Sequence, residues 1–499
     1  MGAMLKQHWW VLPALWSTLL LGAVLAGPGL AAVKPVYLWT DQLVYLLVIM
    51  ALFLVAYIRH RAHLREPWTL VLRRRLAMGA AVILLAYVVI GLLDSVHFRP
   101  PLQSDGQGET HYAPQVISVL DLLAEPIRSK VESTYSAPLA THLYSKEAVE
   151  TPGGRGYVYP RLEHGGAHLQ DPFADRSGDI ALRALRALIE AAAIWVVLGV
   201  LLAWWLARHE PDSALRRYRQ MLRGDTRQPW HVFLYTLLAM VALVALAARI
   251  GPYYHILGTD KVGQDVFYQA VKSIRTGLVI GTLTTMVMLP FAILLGIAAG
   301  FFKGWVDDVI QYMYTTLSSI PGVLLIAAAI LSIQVYIVNH PDLFVTAAHR
   351  ADLRLLALCI ILGITSWTSL CRLLRGETLK LGQMDYIEAA TAFGVRSFTI
   401  IGRHILPNVM HIVLIIVVLD FSGLVLAEAV LSYVGVGVDP STISWGNMIN
   451  SARLEMAREP VVWWTLLAAF VFMFTLVLSA NVFSDAVRDA FDPRLRQSA

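Results

Sequence analysis

Apolar residues in this chain run in blocks too long for a soluble core. A helix rising 1.5 Å per residue needs about 20 mostly apolar residues to cross a bilayer. About ten segments meet that requirement, at residues 10–31, 40–58, 77–94, 185–206, 230–250, 277–300, 309–337, 355–372, 409–432 and 462–483. Each is expected to be helical, because lipid offers no partner to an exposed backbone amide or carbonyl. The fold class that follows is an all-α polytopic membrane protein with about ten transmembrane helices. One long polar stretch, 95–184, separates the third and fourth spans and is rich in breakers such as Thr151-Pro152-Gly153-Gly154. Inside it, Ile117, Leu120, Leu123 and Ile127 recur at helical spacing and predict an amphipathic helix over 117–131. The rest of the stretch reads as irregular, ordering against a partner.

Loop charge orients the spans. Loop 59–75 carries Arg59, Arg61, Arg65, Arg73, Arg74 and Arg75 against Glu66. Loop 207–229 carries Arg208, Arg216, Arg217, Arg219, Arg223 and Arg227 against three acids, and loop 373–408 carries Arg375, Lys380, Arg396 and Arg403. Ten spans with both termini inside place all three loops in the cytoplasm and the stretch 95–184 outside. The short loop at Lys303, Asp307 and Asp308 is also inside and shows no positive bias. Lys6, the apolar stretch after it and Gly29-Leu30-Ala31-Ala32 also fit a cleaved signal peptide. That stretch is long for a signal, so an uncleaved helix is expected; either way the next span starts outside.

Composition agrees with a membrane protein: 57% of residues are hydrophobic and 15% charged, against about 25% charged in soluble chains. A net charge of +5 without a basic tail gives no reason to expect nucleic acid. The two cysteines, Cys359 and Cys371, share one apolar stretch and read as buried small side chains rather than a disulfide or a thiolate metal site. His97, His111, His142, His164 and His168 lie in the outer stretch. A metal site is the sharp reading, but two glycines between His164 and His168 make a poor helix, so their spacing does not put them on one face. Surface histidines and no metal site are expected. No lysine follows a glycine, which excludes a Walker A loop, and neither HExxH nor GxSxG occurs. No catalytic residue is assigned.

The loop between 373 and 408 is unusually structured for its size. Asp385 can cap a short helix over 386–393, with Glu388 in capping-box spacing. Gly394 suits the left-handed position just past its end. Ser397 can cap a second helix over 398–404, and Pro407 is expected to stop it by pushing Leu406 extended. An eight-residue helix is unstable alone in water and needs a docking surface; Ala389, Ala390 and Ala392 would permit close approach. Within the spans, Asp420 sits in the apolar run 412–425, where a charge is costly and is a functional suspect by default. It either faces a translocation path or is paired within the bundle or neutral. Glu428 lies nearer the outer end. Pro290 and Pro321 fall within spans and are candidates for kinks.

The string Glu388-Ala389-Ala390-Thr-Ala-Phe-Gly394, followed by His404-Ile405-Leu406-Pro407-Asn408, resembles the EAA loop of ABC importer permeases. Three further strings are similar to the dipeptide/oligopeptide/nickel branch, in its C-type permease. They are Gly258-Thr259-Asp260-Lys-Val-Gly263-Gln264-Asp265-Val266-Phe267; Ala427 to Gly437, with Gly435 and the following Ser444-Trp445-Gly446; and Arg488-Asp489-Ala490-Phe491-Asp492-Pro493-Arg494-Leu495. They span roughly 255–496. Gln264 replaces the arginine usual there, so no role is carried over to it.

The resemblance implies a MetI-like type I transmembrane domain formed by the last six helices. It also implies a multi-pass protein of the bacterial inner membrane. The ATPase-coupling residues would be Asp385, Glu388, Ala389, Ala390, Gly394, His404, Leu406, Pro407 and Asn408. Gate or path candidates are Asp420, Glu428 and Pro321. Gly258, Asp260, Gly263, Asp265, Gly435, Gly437 and Trp445 would form outer loops that contact a binding protein or cap the pathway. Implied partners are a second permease subunit in a heterodimer, two ABC ATPase subunits, a periplasmic substrate-binding protein and membrane lipid. The chain itself would bind no cofactor, ATP and Mg being used by the partner subunits, and transport would follow alternating access.

The expected division is 1–94, three membrane helices; 95–184, periplasmic segment; 185–229, fourth span and basic cytoplasmic linker; 230–275, first core span and outer loop; 276–484, permease domain; and 485–499, cytoplasmic tail. The other class of reading is a membrane scaffold or sensor that binds a partner through the outer segment without transport.

Overall fold

The computed structural model of the chain describes residues 17–18, 33–102, 111–151, 154–208, 214–340 and 346–491. Apart from Ser17 and Thr18, the expected first span at 10–31 lies outside these residues, as does the string Asp492-Pro493-Arg494-Leu495. From the N-terminal side come β1 (Lys34–Val36), α1 (Trp39–His60), α2 (Ala62–Val71), α3 (Arg75–Asp94) and β2 (His97–Arg99). The outer segment adds β3 (Ile117–Ser118), α4 (Val119–Leu123), α5 (Glu125–Arg128), β4 (Glu147–Thr151) and β5 (Gly154–Val158). Then follow α6 (Arg176–Ala207), α7 (Ala214–Arg223), α8 (Trp230–Ile250), α9 (Val266–Phe302), α10 (Gly304–Ser319), α11 (Gly322–Asn339) and α12 (Ala347–Leu381). The last third holds α13 (Asp385–Ala392), α14 (Ser397–Ile400), a π turn (Ile401–Ile405), α15 (Leu406–Tyr433), α16 (Trp445–Glu455) and α17 (Trp464–Phe491). Nine helices among the described residues are long and apolar enough to cross a membrane.

Two expectations for regular structure fail for identifiable reasons. The segment 309–337 is not one span but α10 and α11, broken between them. Pro321 has no amide to continue a helix and pushes Ile320 to φ −89°, ψ 130°. Pro321 is therefore a break that starts α11 rather than a kink, whereas Pro290 stays inside α9. The helix expected over 117–131 is also interrupted. Ser118 and Asp121 form a capping box that starts α4, and α5 begins anew around Pro126. The rest of the outer segment is only partly irregular among the described residues. β2 pairs antiparallel with β1 and β3, with His97 opposite Val36 and Phe98 opposite Ile117. β4 and β5 form a hairpin running from Glu147 opposite Val158 to Thr151 opposite Gly154.

The core is the pair α9 and α12, which pack along their length. Without a hydrophobic drive inside lipid, such pairs depend on close van der Waals approach through small residues. A Cβ on Gly296 would lie 2.9 Å from the Cys371 carbonyl oxygen, one on Gly300 2.7 Å from that of Arg375, and one on Gly363 3.0 Å from that of Thr284. Cys359 and Cys371 are both buried and unpaired in this seam.

The N-terminal helices are fastened to this core by charge. Asp352 on α12 accepts from the amides of Trp39 (2.7 Å) and Thr40 (3.2 Å) and from the Thr40 hydroxyl, so a core carboxylate caps α1. Arg275 on α9 reaches Asp41 Oδ1 at 2.5 Å and Thr40 Oγ1 at 3.0 Å. His97 Nδ1 lies 2.7 Å from the other Asp41 oxygen. Its side chain is only 10% exposed, which corrects the expectation of a surface histidine there. Lys272 bridges Asp94 (3.0 Å) and Asp121 (2.5 Å), and Tyr268 also donates to Asp121 (2.6 Å). Among the other outer histidines, His168 pairs with Asp179 at 2.8 Å and His142 stacks on Phe173. No group of three or more His, Cys, Asp or Glu among the described residues is arranged to hold a metal ion.

A second fastening joins the outer segment to the loop before α9. His255 is buried between two carboxylates, with Nδ1 2.8 Å from Asp265 and Nε2 3.3 Å from Glu132. Glu132 also accepts from the amides of Glu163, His164 and Gly165 at 2.9–3.0 Å. Burial opposes a charge on His255, but the hydrogen bonds to Asp265 and Glu132 outweigh it and hold the imidazolium up to about 9. Burial likewise opposes the Glu132 anion, yet His255 and the three amides bring its carboxyl down to about 2.

Two predictions follow from these joints. Asp352→Ala is expected to cost about 1–2 kcal/mol, the range for a lost N-cap. It should appear as faster hydrogen exchange at the start of α1 with exchange across residues 385–405 unchanged. The His255 clasp gives a pH window. A histidine raised from 6.5 to about 9 contributes fully below 6.5 and loses that contribution as pH rises through 9. Glu132, lowered from 4.5 to about 2, contributes fully above 4.5 and loses its part as pH falls through 2. Proteolysis of the outer segment should therefore be slowest between about pH 4.5 and 6.5 and accelerate toward pH 9. His255→Gln should flatten the alkaline limb.

Candidate functional site

The loop 385–408 forms a small protruding unit at one end of the bundle. Helix α13 begins at Asp385, one residue earlier than expected. Met384 takes the N-cap position, with no side-chain cap bond, and its carbonyl accepts from Ile387 (2.8 Å) and Glu388 (3.1 Å). The chain turns tightly out of α12 through Gly382, Gln383 and Met384, whose amides bond back to Thr378, Lys380 and Leu381. Asp385 and Glu388 instead lie in the first turn, where carboxylates face the positive end of the helix dipole. The other end behaves as expected. Gly394 has φ +74°. Its amide bonds to Thr391 O and that of Val395 to Ala390 O, at 3.0 and 3.1 Å, completing a Schellman motif.

Beyond Gly394 the expectation of a stop at Pro407 is wrong. Ser397 is the first residue of α14 rather than its cap, with Arg396 before it. The helix then widens into the π turn and continues into α15 without a break; Leu406 is helical at φ −54°, ψ −47°. The Leu406 amide bonds to Ile401 O, five residues back. A proline in a regular helix would clash with the carbonyl four residues back and lose one bond. The wider turn ahead of Pro407 absorbs that misfit, so Pro407 opens α15.

Three isoleucines hold the unit down. Ile387, Ile400 and Ile405 are 2%, 1% and 0% exposed and pack with Tyr314, Trp367, Leu370, Leu374 and Val409 from the membrane helices. Tyr386 and His404 have ring centroids 6.0 Å apart. The Asn408 amide donates to Tyr386 Oη (3.3 Å) and to the His404 carbonyl (2.7 Å). Loop start and loop end are thus pinned together. Arg375 on α12 holds Asp307 on α10 through two bonds of 2.5 and 2.6 Å just beside them. The outward face shows Asp385, Glu388, Ala389, Thr391 and Ala392. It ends in two bare phenylalanines, Phe393 at 87% and Phe398 at 83% exposure. Sequence reasoning passed over these two and the three isoleucines. The available signal was two aromatics, Phe393 and Phe398, flanking Gly394.

The path candidates separate. Asp420 is half-buried on α15 and has no partner among the described residues. Gly423, one turn on, has open space where its side chain would be. Pairing of Asp420 with another described residue of this chain is excluded. Glu428 is 2% exposed and accepts from Ser432 (2.8 Å) and Ser444 (3.0 Å), with Gly446 pressed against it. It joins α15 to α16. Pro321 is exposed at the start of α11, beside exposed Thr315, Thr316, Ser318 and Ser319 on α10. That polar strip went unremarked in the sequence.

The outer-loop candidates are mostly packed inside. Gly258 and Gly263 have φ +71° and +75° and lie against the backbone of Ser136 and Glu132. Asp260 Oδ1 accepts from the amides of Val262 and Gln264, both 2.9 Å, and Asp265 caps α9 through the Tyr268 amide at 3.0 Å. Trp445 is 1% exposed and donates to Ala270 O at 3.0 Å. Gly437 packs on Ser432, whereas Gly435, at φ +85°, stands in open space.

Comparison with known proteins matches the part of the chain that carries these features. The family described as binding-protein-dependent transport system inner membrane component matches residues 292–497. The chain is 31% identical to the glutathione transport system permease protein of Pectobacterium atrosepticum over 242 residues, 48% of this chain and 73% of that protein. It is 30% identical to the glutathione transport system permease protein of Escherichia coli over 315 residues, 58% and 94% of the two chains. It is 29% identical to the oligopeptide transport system permease protein of Mycobacterium tuberculosis over 242 residues, 48% and 77%. Helical architecture, spans and sequence agree: the chain belongs to the inner-membrane components of binding-protein-dependent transport systems, as a multi-pass ABC importer permease of the dipeptide/oligopeptide/nickel family with an added N-terminal region.

Proposed function

We propose that this permease forms half of the translocation path for peptides or related small solutes, and that separate ATPase subunits drive it through residues 385–408. The observation that carries this reading is the build of α13. Its outward face is bare, with Phe393 and Phe398 at the tip, while Ile387, Ile400 and Ile405 lock its inner face to the membrane helices. Exposed aromatics at a rigid tip fit a socket on another protein. A push on that tip would travel through α14 and the π turn into α15 without meeting a flexible joint. Asp385, Glu388, Ala389, Ala390 and Gly394 shape the tip; His404, Leu406, Pro407 and Asn408 form its root.

Asp420 lies on the same α15, without a partner among the described residues. An ionised carboxylate facing lipid costs several kcal/mol, so the reading places it toward a water-filled path or a second permease. The exposed hydroxyls of α10 fit the same wall. Two ATPase subunits using ATP and Mg, a second permease and a periplasmic binding protein complete the assembly, with the chain's termini and residues 385–408 in the cytoplasm. The substrates named for the relatives, glutathione and oligopeptides, make a small peptide the expected cargo.

Because Phe393 and Glu388 are exposed, Phe393→Ser and Glu388→Lys should leave the melting temperature of the purified chain unchanged. Copurification of ATPase subunits and uptake should each fall by about tenfold or more, the loss for a hot-spot contact worth at least about 1.4 kcal/mol. Persistence of both in the double variant would sink the coupling assignment. Asp420→Asn should lower uptake while ATPase copurification stays intact. Undiminished uptake would remove Asp420 from the path.

A further inference from the structure

A helical elbow leads from the added N-terminal region into the first core span, and the permease reading does not use it. Helices α6 and α8 pack as an antiparallel pair, and α7 lies between them in sequence and against both in space. Its seat is specific. Tyr218 and Met221 are buried with Ala203 and Leu234. The Tyr218 ring fills the space over Gly199, where a Cβ would lie 2.5 Å from Cε2. Trp195, whose ring centroid is 6.3 Å from that of Tyr218, donates to the Leu234 carbonyl at 2.6 Å. This packing fixes which way the rest of α7 points.

The opposite face carries Arg216, Arg219 and Arg223, at spacings of three and four residues that align on one side of a helix. All three are exposed, and so is Leu215 at 65%. Arg208 and Arg227 flank the elbow, both exposed. Arg219, Arg223 and Arg227 have no carboxylate partner among the described residues. Arg208 lies over the Trp204 ring at 4.2 Å, and Trp204 and Trp205 are half-exposed where α6 ends. Tryptophan marks the level of lipid headgroups, and a helix with one basic face and an exposed leucine lies in the plane of that interface.

We propose that α7 is an in-plane elbow that binds the headgroups of anionic phospholipid. Arg219 and Arg223, flanked by Arg208 and Arg227, meet the phosphates, and Leu215 enters the acyl edge. Charge complementarity selects this occupant. A fixed row of guanidiniums matches a surface of phosphate oxygens, while the belt of tryptophans places that row at headgroup depth. Zwitterionic lipid offers the same phosphate without the net charge and binds more weakly.

The test uses the full chain in nanodiscs of phosphatidylcholine with or without phosphatidylglycerol, and counts the lipids retained after detergent extraction by native mass spectrometry. The chain should retain phosphatidylglycerol in preference to phosphatidylcholine. Arg219→Gln with Arg223→Gln should lower that retention roughly thirtyfold, the order expected for two cations facing an anionic surface. The pair Lys261→Gln and Arg350→Gln removes the same charge from exposed sites at the other end and should leave retention unchanged. Equal loss in both pairs, or no loss in the first, overturns the proposal. So does loss of copurifying ATPase subunits with lipid retention unchanged, which would assign α7 to a protein partner. Transport is not part of the readout, so failure of the permease reading leaves this result standing.

Discussion

An eight-residue helix does not hold together in water, and the build of the loop 385–408 depends on how α13 escapes that limit. Three isoleucines supply the answer. Ile387 comes from the helix itself, Ile400 from the end of α14 and Ile405 from the π turn, and all three enter one cluster with Trp367 and Leu374 of α12. The loop is therefore the exposed edge of the membrane core. The Arg375–Asp307 pair and the Asn408–Tyr386 contact close the same unit from two further sides. What remains outside is an aromatic tip whose position is set by the core behind it.

At the other end of the bundle, the fold uses charge where the end carrying α13 uses isoleucine. The buried pair Arg275–Asp41, the part-buried pair Lys272–Asp121 and the Asp352 cap join the added helices to α9 and α12. A buried ion pair contributes little net stability against an apolar alternative, but breaking one leaves an uncompensated charge. These joints therefore specify where α1 and the outer segment sit. One consequence concerns the loop Gly258–Asp265. Its glycines accept the backbones of Ser136 and Glu132, so the outer segment covers a loop that the sequence led one to expect at the surface.

Most spans were legible because 20 apolar residues have few alternatives in lipid. Gly394 was legible because a left-handed position after a short helix favours glycine strongly. The failures share a cause: a local rule met a neighbour that sequence does not show. Pro407 was read as a stop, yet a π turn just before it accommodates the ring. Asp385 reads as a cap from its spacing, yet Met384 takes the cap position and Asp385 begins the helix. In 309–337 the apolar residues on both sides of the hydroxyl-rich stretch 315–319 suggest one span, whereas Pro321 divides it. The seam charges were visible as residues, but Arg275 and Asp41 lie 234 positions apart and no spacing rule links them. Glu428 is legible as a gate or path candidate, but its partners Ser432 and Ser444, which join α15 to α16, are not visible from spacing.

The central claim is that the tip of α13 seats in an ATP-hydrolysing partner. A photoreactive side chain at position 393, in the assembled complex in native membranes, tests it most directly. The account predicts a crosslinked adduct between this chain and an ATPase subunit, and none when the probe is moved to exposed Leu454 at the opposite end. An adduct from position 454, or none from position 393 in a complex that still hydrolyses ATP, would contradict it.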